Sequence, residues 1–258
     1  TDVVKAIFPI SAKTYWFASV YMGLLVLMPF VSMVAARMTR RQYQYLLGAL
    51  TLFLSVNHMI FRVDTYGTFS GRELPWFIYL TLLTGYVKLH TKEDRRYAWY
   101  GFAGYVVSSL AVLASVYLSV KTQQEDIGYF LNYNSPLALL GTLALFVCVR
   151  NLPWKESKLD GVILKVAGAA FGVYLIHDNY LIRYLVWDTF RVSKVAKTHW
   201  AMIYAVVVAA IVYLTCTLLE LLRQQLVKWF APIWEKTLLY RKEQNLYLKI
   251  TKRVNDPS

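Results

Sequence analysis

Residues 200–219 read WAMIYAVVVAAIVYLTCTLL, a run of twenty residues without a charged side chain. A helix needs about 20 consecutive apolar residues to cross the roughly 30 Å of hydrocarbon in a bilayer. The run therefore predicts a transmembrane helix, one of the two backbone arrangements that satisfy all of their hydrogen bonds within lipid. The other arrangement, a closed barrel, needs alternating strands, and the sequence does not show them.

Six further apolar runs precede this stretch, so the sequence predicts about seven transmembrane helices. The seven runs extend approximately over Tyr15 to Ala36, Gln42 to Phe61, Leu74 to Leu89, Ala98 to Ser119, Pro136 to Val149, Val162 to Trp187 and Trp200 to Leu219. The third and fifth runs are short, and their length is also compatible with a re-entrant or protein-buried helix. The predicted fold class is all-α, a polytopic membrane helix bundle.

The composition of the chain agrees with this class. Of its 258 residues, 57% are apolar or aromatic and 17% are charged, the reverse of the balance in a soluble domain. The net charge of +13 would indicate nucleic-acid binding only if the basic residues formed one soluble surface, and they are instead distributed among the loops. Cys148 and Cys216 both lie in apolar runs, which predicts two buried thiols. We therefore expect membrane lipid as a partner, and neither nucleic acid nor a metal.

Basic residues occur in alternate loops, and such loops stay on the cytoplasmic side during insertion. The loops predicted to be cytoplasmic hold Arg37, Arg40 and Arg41, then Lys88, Lys92, Arg95 and Arg96, and then Arg150, Lys155, Lys158 and Lys165. The C-terminal tail is basic as well, so seven spans would place Thr1 outside. The last predicted outer loop also carries positive charge, at Arg191, Lys194 and Lys197. These three residues either meet an anionic glycan or lipid headgroup or have no function.

The sequence divides into a predicted helix bundle, residues 1–222, and a cytoplasmic basic tail, residues 223–258. Large apolar side chains recur at helical intervals in the tail, at Trp229, Phe230, Ile233, Trp234, Leu238 and Leu239. This pattern predicts an amphipathic helix at the membrane surface. The alternative is a solvated helical extension.

Ionisable and amide side chains interrupt two of the apolar runs, where burial in lipid makes each one a candidate for function. The predicted substrate-binding residues are His58 and Arg62 at the outer end of the second run, and Tyr174, His177, Asn179 and Arg183 in the sixth. His58 and Arg62 are four residues apart and share a helical face. Counted at about 1.5 Å per residue, His177 lies at a depth similar to that of His58. We expect the two groups to line an outward-facing cavity for a sugar hydroxyl or an acyl oxyanion.

Each of these residues also has a structural interpretation. A histidine in a helix bundle commonly makes a packing hydrogen bond, and Arg62 and Arg183 can extend outward to the membrane surface. The sequence shows no metal-binding cluster, Ser-His-Asp arrangement, phosphate-binding loop or dinucleotide motif. The glycine spacings Gly101 to Gly104 and Gly168 to Gly172 predict close helix packing instead.

Two stretches resemble a known family. Residues 15–24 read YWFASVYMGL and precede Met28-Pro29-Phe30, and residues 171–179 read FGVYLIHDN. The first is similar to an aromatic-rich helix ending in Pro in the membrane acyltransferase-3 family, especially its capsule and exopolysaccharide O-acetyltransferases. The second resembles the S/G-x-Y-L-I-H segment in a late helix of that family. The resemblance extends from Tyr15 to Leu222, with the final span and basic tail in the family's order.

The resemblance implies a bundle of about ten helices that transfers an acyl group, usually acetyl from cytoplasmic acetyl-CoA, to a hydroxyl of a cell-surface carbohydrate. It also implies a catalytic His after a basic residue in the first helix and an Arg motif near the third. No position before Tyr15 matches either one. Seven spans with Thr1 outside fit a ten-helix protein without its first three helices, so we expect a C-terminal portion whose catalytic residue is unknown. Many relatives have a Glu in the Trp-containing helix, where this sequence has Ala18, Ser19 and Val20.

Acyl transfer to an alcohol requires a general base and donors for the oxyanion. Under the resemblance, His58, Arg62, His177 and Asn179 are expected to bind the acceptor or the oxyanion. Basic residues on the inner side, namely Arg37, Arg40, Arg41, Arg95 and Arg96, either contact the phosphates of CoA or serve only to orient insertion.

We therefore expect an integral O-acyltransferase of the bacterial inner membrane, with a cytoplasmic C-terminus. It would transfer an acyl group, expected to be acetyl, from acyl-CoA to a hydroxyl of a cell-surface or exported glycan. Other polysaccharide-synthesis proteins are expected partners besides lipid, donor and acceptor. The alternative is a nonenzymatic transporter or exporter of a glycan or lipid built on the same bundle.

Overall fold

A computed structural model describes residues 15–61, 66–123, 128–155, 157–195 and 198–235. Within these ranges the regular structure is helical and contains no strand, which confirms the all-α prediction. The chain forms two compact units, residues 1–155 and residues 156–258, and each is described by itself. The predicted division at residue 222 stays a prediction.

The first unit is built from five long helices. They are α1 (Trp16–Arg37), α2 (Arg40–Phe61), α3 (Leu74–His90), α4 (Arg95–Lys121) and α5 (Pro136–Arg150). Within α2, Leu52–Val56 forms a π-helical turn. Short 3-10 turns, Phe69–Gly71 and Tyr129–Leu131, precede α3 and α5. The second unit contains α6 (Asp160–His177), α7 (Tyr180–Phe190), the short α8 (Val192–Val195) and α9 (Ala201–Glu235).

Six helical segments of the described chain are long and apolar enough to cross a membrane. They are α1, α2, α4, α6, most of α9, and α5 together with the turn that precedes it. Many of their large apolar side chains are exposed, as a lipid-facing surface requires; Val26 is 68% exposed and Leu110 is 58% exposed. The chain is therefore a multi-pass membrane protein. Helix α3 has 17 residues, which is at the lower limit of the length that a span needs, so the count of seven is approximate.

The predicted sixth run, Val162 to Trp187, is not one helix. Helix α6 ends at His177 and α7 begins at Tyr180, so Asp178 and Asn179 lie between two separate helices. Side chains of Asp and Asn compete with the helical backbone for hydrogen bonds, and two of them in succession favour a break. Because α7 has 11 residues, it is too short to span a bilayer by itself.

Helices α2 and α3 together form most of the buried core of the first unit. In α3, Trp76, Tyr79 and Leu82 are buried against α2, where Tyr43 and Leu47 are buried as well. The Tyr43 hydroxyl donates to the Leu82 carbonyl at 2.9 Å, which joins the two helices by a polar contact as well as by apolar packing. Helices α1 and α5 also pack on α3.

Helices α4 and α5 pack closely because small residues face each other. A Cβ atom on Gly101 would lie 2.5 Å from the Cys148 amide nitrogen, and one on Gly104 would lie 3.2 Å from Ala144 Cβ. The prediction of close packing is thus confirmed for both glycines. It is confirmed for Gly172 of α6, which contacts Glu220, and wrong for Gly168, where a Cβ would meet open space.

The side chain of Arg150, the last residue of α5, caps the C-terminal end of α3. Its Nη1 donates to the Val87 carbonyl at 2.5 Å and to Thr91 Oγ1 at 2.8 Å, and its Nη2 donates to the Thr91 carbonyl at 3.0 Å. The last carbonyls of a helix lack partners within the helix and carry partial negative charge. The guanidinium therefore holds the ends of α3 and α5 together.

Candidate functional site

The π-helical turn in α2 is part of a buried polar cluster. Ser55, within this turn, is completely buried and donates to the Asn134 carbonyl at 2.7 Å. Asn134 Nδ2 donates in turn to the Leu54 carbonyl at 3.2 Å and to Thr68 Oγ1 at 3.1 Å. Isolated π turns inside α-helices occur frequently at functional sites. The cluster fixes α2 to the loops that precede α3 and α5.

His58 follows the π turn and is half-buried. Its ring stacks on that of Tyr129, with 6.3 Å between the ring centroids and 24° between the planes. The Tyr129 hydroxyl donates to the carbonyls of His58, at 2.9 Å, and Met59, at 2.6 Å. Tyr129 thus holds both the ring and the backbone of His58. Arg62, predicted to share this face, lies outside the described residues.

His177 is the last residue of α6, and one hydrogen bond determines its protonation pattern. Its Nδ1 lies 2.9 Å from the Val173 carbonyl. A carbonyl only accepts hydrogen bonds, so Nδ1 carries the proton, and in the neutral ring Nε2 then has the lone pair. His177 Nε2 can therefore accept a hydrogen bond from a hydroxyl. Tyr174, one turn earlier, meets the His177 ring edge-on, with 6.0 Å between centroids.

The other predicted residues of this region lie at the corner between α6 and α7. The Asn179 carbonyl accepts from the Arg183 amide at 2.8 Å, which starts the first turn of α7. Arg183 Nη1 is 3.5 Å from Asp178 Oδ1, and its side chain is 54% exposed. An exposed ion pair of this length contributes little stability. The corner thus groups four predicted residues, Tyr174, His177, Asn179 and Arg183. His58 belongs to the first unit. A common cavity for both histidines therefore stays a prediction.

A pocket of about 390 Å³ opens beside His177. Helices α6, α7 and α9 line it, chiefly with Val173, Val186, Val208 and Val212 and with the small side chains Ala205 and Ala209. The polar groups of its lining belong to His177, Tyr213 and the Trp187 indole.

Glu220 of α9 is a candidate residue that the sequence analysis did not identify. It is 4% exposed although it lies within a helix that can span the membrane. Both carboxylate oxygens accept from Arg223 at 2.7 Å, and Gln224 Nε2 donates to Oε1 at 2.9 Å. A Cβ atom on Gly172 would overlap with Glu220 Cδ, so the carboxylate packs directly on α6. A carboxylate that follows the apolar run 200–219 was the available sequence signal.

A family model described as an acyltransferase domain, that of the acyltransferase-3 family, matches residues 2–220. The chain belongs to the acyltransferase-3 family. Its match includes the α6–α7 corner, the pocket beside His177, and Glu220. No curated protein and no solved structure matches the chain. With its six candidate spans, this acyltransferase-3 family member is a membrane acyltransferase; the resemblance to the capsule and exopolysaccharide type stays a prediction.

The described residues of this acyltransferase offer no cluster of three or more His, Cys, Asp or Glu side chains that could hold a metal ion. The candidate groups at the α6–α7 corner are the imidazole of His177, the hydroxyl of Tyr174, the amide of Asn179 and the guanidinium of Arg183.

Proposed function

We propose that this membrane acyltransferase transfers an acyl group from acyl-CoA, with acetyl-CoA as the simplest donor, to a hydroxyl of a cell-surface or exported glycan. We place it in the bacterial inner membrane, with its C-terminus in the cytoplasm. The observation that carries the proposal is the geometry of His177: its Nδ1 is bound to the Val173 carbonyl and it lines a pocket within the family match. The family match favours this enzyme over a transporter.

The reaction makes one bond and breaks one. The acceptor oxygen attacks the thioester carbonyl carbon, the new C–O ester bond forms, and the C–S bond breaks. The hydroxyl proton leaves through a general base and ends on the sulfur of CoA, so the products are an O-acyl ester and free CoA thiol. In this proposal His177 Nε2 accepts the hydrogen bond of the acceptor hydroxyl and orients its oxygen. Asn179, Tyr174 and Arg183 at the same corner bind the remaining polar groups of the substrate, and the substrate-binding role of His58 and Arg62 in the first unit stays a prediction.

Basic side chains of the first unit, at the end of α2 opposite His58, are proposed to bind the phosphates of CoA. Arg37 ends α1 and Arg40 begins α2, while Arg95 begins α4. The Arg40 Nε donates to the Tyr86 hydroxyl at 3.3 Å, which restricts where its guanidinium can lie. Guanidinium groups bind phosphate through paired, charge-assisted hydrogen bonds. Arg41 and Arg96, which follow them in the sequence, complete the proposed set.

The test is a transfer assay with membranes that contain the complete gene product. Radiolabelled acetyl-CoA is supplied on the cytoplasmic face together with the surface glycan of the source cells. We expect label in the glycan that mild base removes, because an ester is cleaved by base. Membranes without the protein are the control. Equal labelling of the glycan in both preparations, or label that base does not remove, would contradict the proposal.

A further inference from the structure

The pocket beside His177 is far more apolar than a carbohydrate site. Its walls are valine and alanine side chains from three helices, and its polar groups are His177, Tyr213 and the Trp187 indole. A sugar carries a hydroxyl on almost every carbon, and each one that is buried without a partner costs free energy. The body of this pocket therefore suits a hydrocarbon chain, and His177 suits a polar group at one end of it.

The volume of the pocket exceeds what an acetyl group needs. At about 30 Å³ for a group of the size of water, the three heavy atoms of an acetyl group would occupy roughly 90 Å³. The pocket has about 390 Å³, and ligand pockets generally begin near 300 Å³. The small side chains Ala205 and Ala209, one helical turn apart on α9, provide part of this space.

We propose that this pocket holds the hydrocarbon chain of the transferred acyl group, and that the enzyme therefore accepts acyl groups longer than acetyl, in the range of octanoyl. The inference rests on the proposed function, because it places the acyl carbonyl beside His177 Nε2 and the acceptor hydroxyl. The chain extends from the carbonyl between α6, α7 and α9. The bonds made and broken are those of the thioester-to-ester transfer described above.

Binding is tested separately from catalysis by using 8-bromooctanoyl-CoA, whose bromine quenches the fluorescence of an indole that it contacts. The complete protein is compared with Trp187→Phe, and the difference isolates the tryptophan of the pocket. Ala209→Leu fills the pocket from α9. Ala210→Leu is the matched control, because Ala210 is the next residue of the same helix, is exposed, and does not line the pocket.

We expect quenching that depends on Trp187 and is reversed by unbrominated octanoyl-CoA. Ala209→Leu should weaken the affinity measured by this quenching at least tenfold, and Ala210→Leu should retain it. In transfer assays the ratio of octanoyl to acetyl product should fall at least tenfold in Ala209→Leu relative to Ala210→Leu.

Acyl transfer without Trp187-dependent quenching would overturn the pocket assignment and leave the proposed function intact. Quenching without transfer from any donor would support the pocket and contradict the function. Quenching of Trp187 by brominated phospholipid that octanoyl-CoA does not reverse would assign the pocket to a bilayer lipid and overturn the inference.

Discussion

A single backbone contact gives His177 its chemical character. The Val173 carbonyl, one turn earlier in α6, holds the proton on Nδ1 and leaves Nε2 as the acceptor. His58 is held in a different way, by a stacked Tyr129 ring and two backbone hydrogen bonds. Both arrangements restrict the histidine, but the one at His177 also directs a lone pair away from its own helix.

Replacement of His177 by Ala should lower acyl transfer about tenfold, because a lost hydrogen bond of about 1.4 kcal/mol corresponds to that factor. Expression and membrane insertion should remain normal, since the side chain is exposed. Glycan acylation in cells is the measurement. His199→Ala is the control, because His199 is also exposed and lies between α8 and α9. Wild-type acylation in His177→Ala would reduce this residue to a packing role.

Glu220 binds its neighbours through charged hydrogen bonds that a neutral amide cannot reproduce. Glu220→Gln should lower the free energy of unfolding by roughly 1–3 kcal/mol, because Arg223 loses a bidentate carboxylate partner. Thermal unfolding in detergent measures the change. Asp188→Asn, at an exposed carboxylate of α7, should leave the midpoint unchanged. Equal midpoints for Glu220→Gln and the wild type would show that the pair does not stabilise the second unit.

The residue-level candidates differ in how far the sequence revealed them. His177 was predicted because an ionisable group inside an apolar run is unusual. Glu220 was missed because it directly follows the end of the last apolar run and was not counted among the polar groups that interrupt the runs. Ser55 and Asn134 gave no signal, since small polar residues are common in helices and loops. Their importance depends on contacts between residues about 80 positions apart, which a single sequence does not contain.

At the scale of elements, apolar runs predicted the five long helices of the first unit to within a few residues, whereas α9 continues to Glu235, well beyond the predicted end at Leu219. The first run was predicted as Tyr15 to Ala36, and α1 is Trp16–Arg37. Two local departures from a regular helix, the π turn in α2 and the break at Asp178, were not predictable from the apolar runs. The π turn in α2 is stabilised by hydrogen bonds from another part of the chain, and hydropathy does not distinguish it from an α-helix. The break at Asp178 replaced one predicted span by two helices, although the polar residues there had marked the position.

Close packing of α4 on α5 requires glycine at position 101. In Gly101→Ala the added Cβ would lie 2.5 Å from the Cys148 nitrogen and 2.6 Å from the Ala144 carbonyl oxygen, both of them backbone atoms that cannot move alone. The two helices must separate, and we expect a loss of about 1–3 kcal/mol in the free energy of unfolding. Thermal unfolding measures this loss.

Gly48→Ala is the matched control for that substitution. Gly48 lies inside α2, and a Cβ there meets nothing within 4 Å. Alanine favours a helix over glycine by up to about 1 kcal/mol, so this variant should be neutral or more stable. If both variants unfold at the same temperature, close approach at Gly101 does not limit stability.

At the scale of the whole molecule, the number of membrane crossings depends on α3. Six segments are long and apolar enough to cross a membrane. Helix α3, in contrast, has 17 residues and contributes Trp76, Tyr79 and Leu82 to a buried core. Seven crossings, as the positive charges predict, require α3 to cross as well. A helix that is packed against protein can cross at this length because its neighbours and a thinner bilayer compensate for the mismatch.

Cysteine labelling in intact cells tests whether α3 crosses. Cys148 and Cys216 are first replaced by Ala, and single cysteines are then placed at Gly67, before α3, and at Lys92, after it. We expect an impermeant reagent to label position 67 from outside, and position 92 only after the membrane is opened. Labelling of both positions from the same side would show that α3 does not cross.

The most direct test of the central claim is mass spectrometry of the surface glycan from cells with and without the gene. If the protein is a glycan O-acyltransferase, base-labile acyl groups should be present in the parent, absent from the deletion strain, and restored by the gene. Identical acyl content in the three samples would contradict the account.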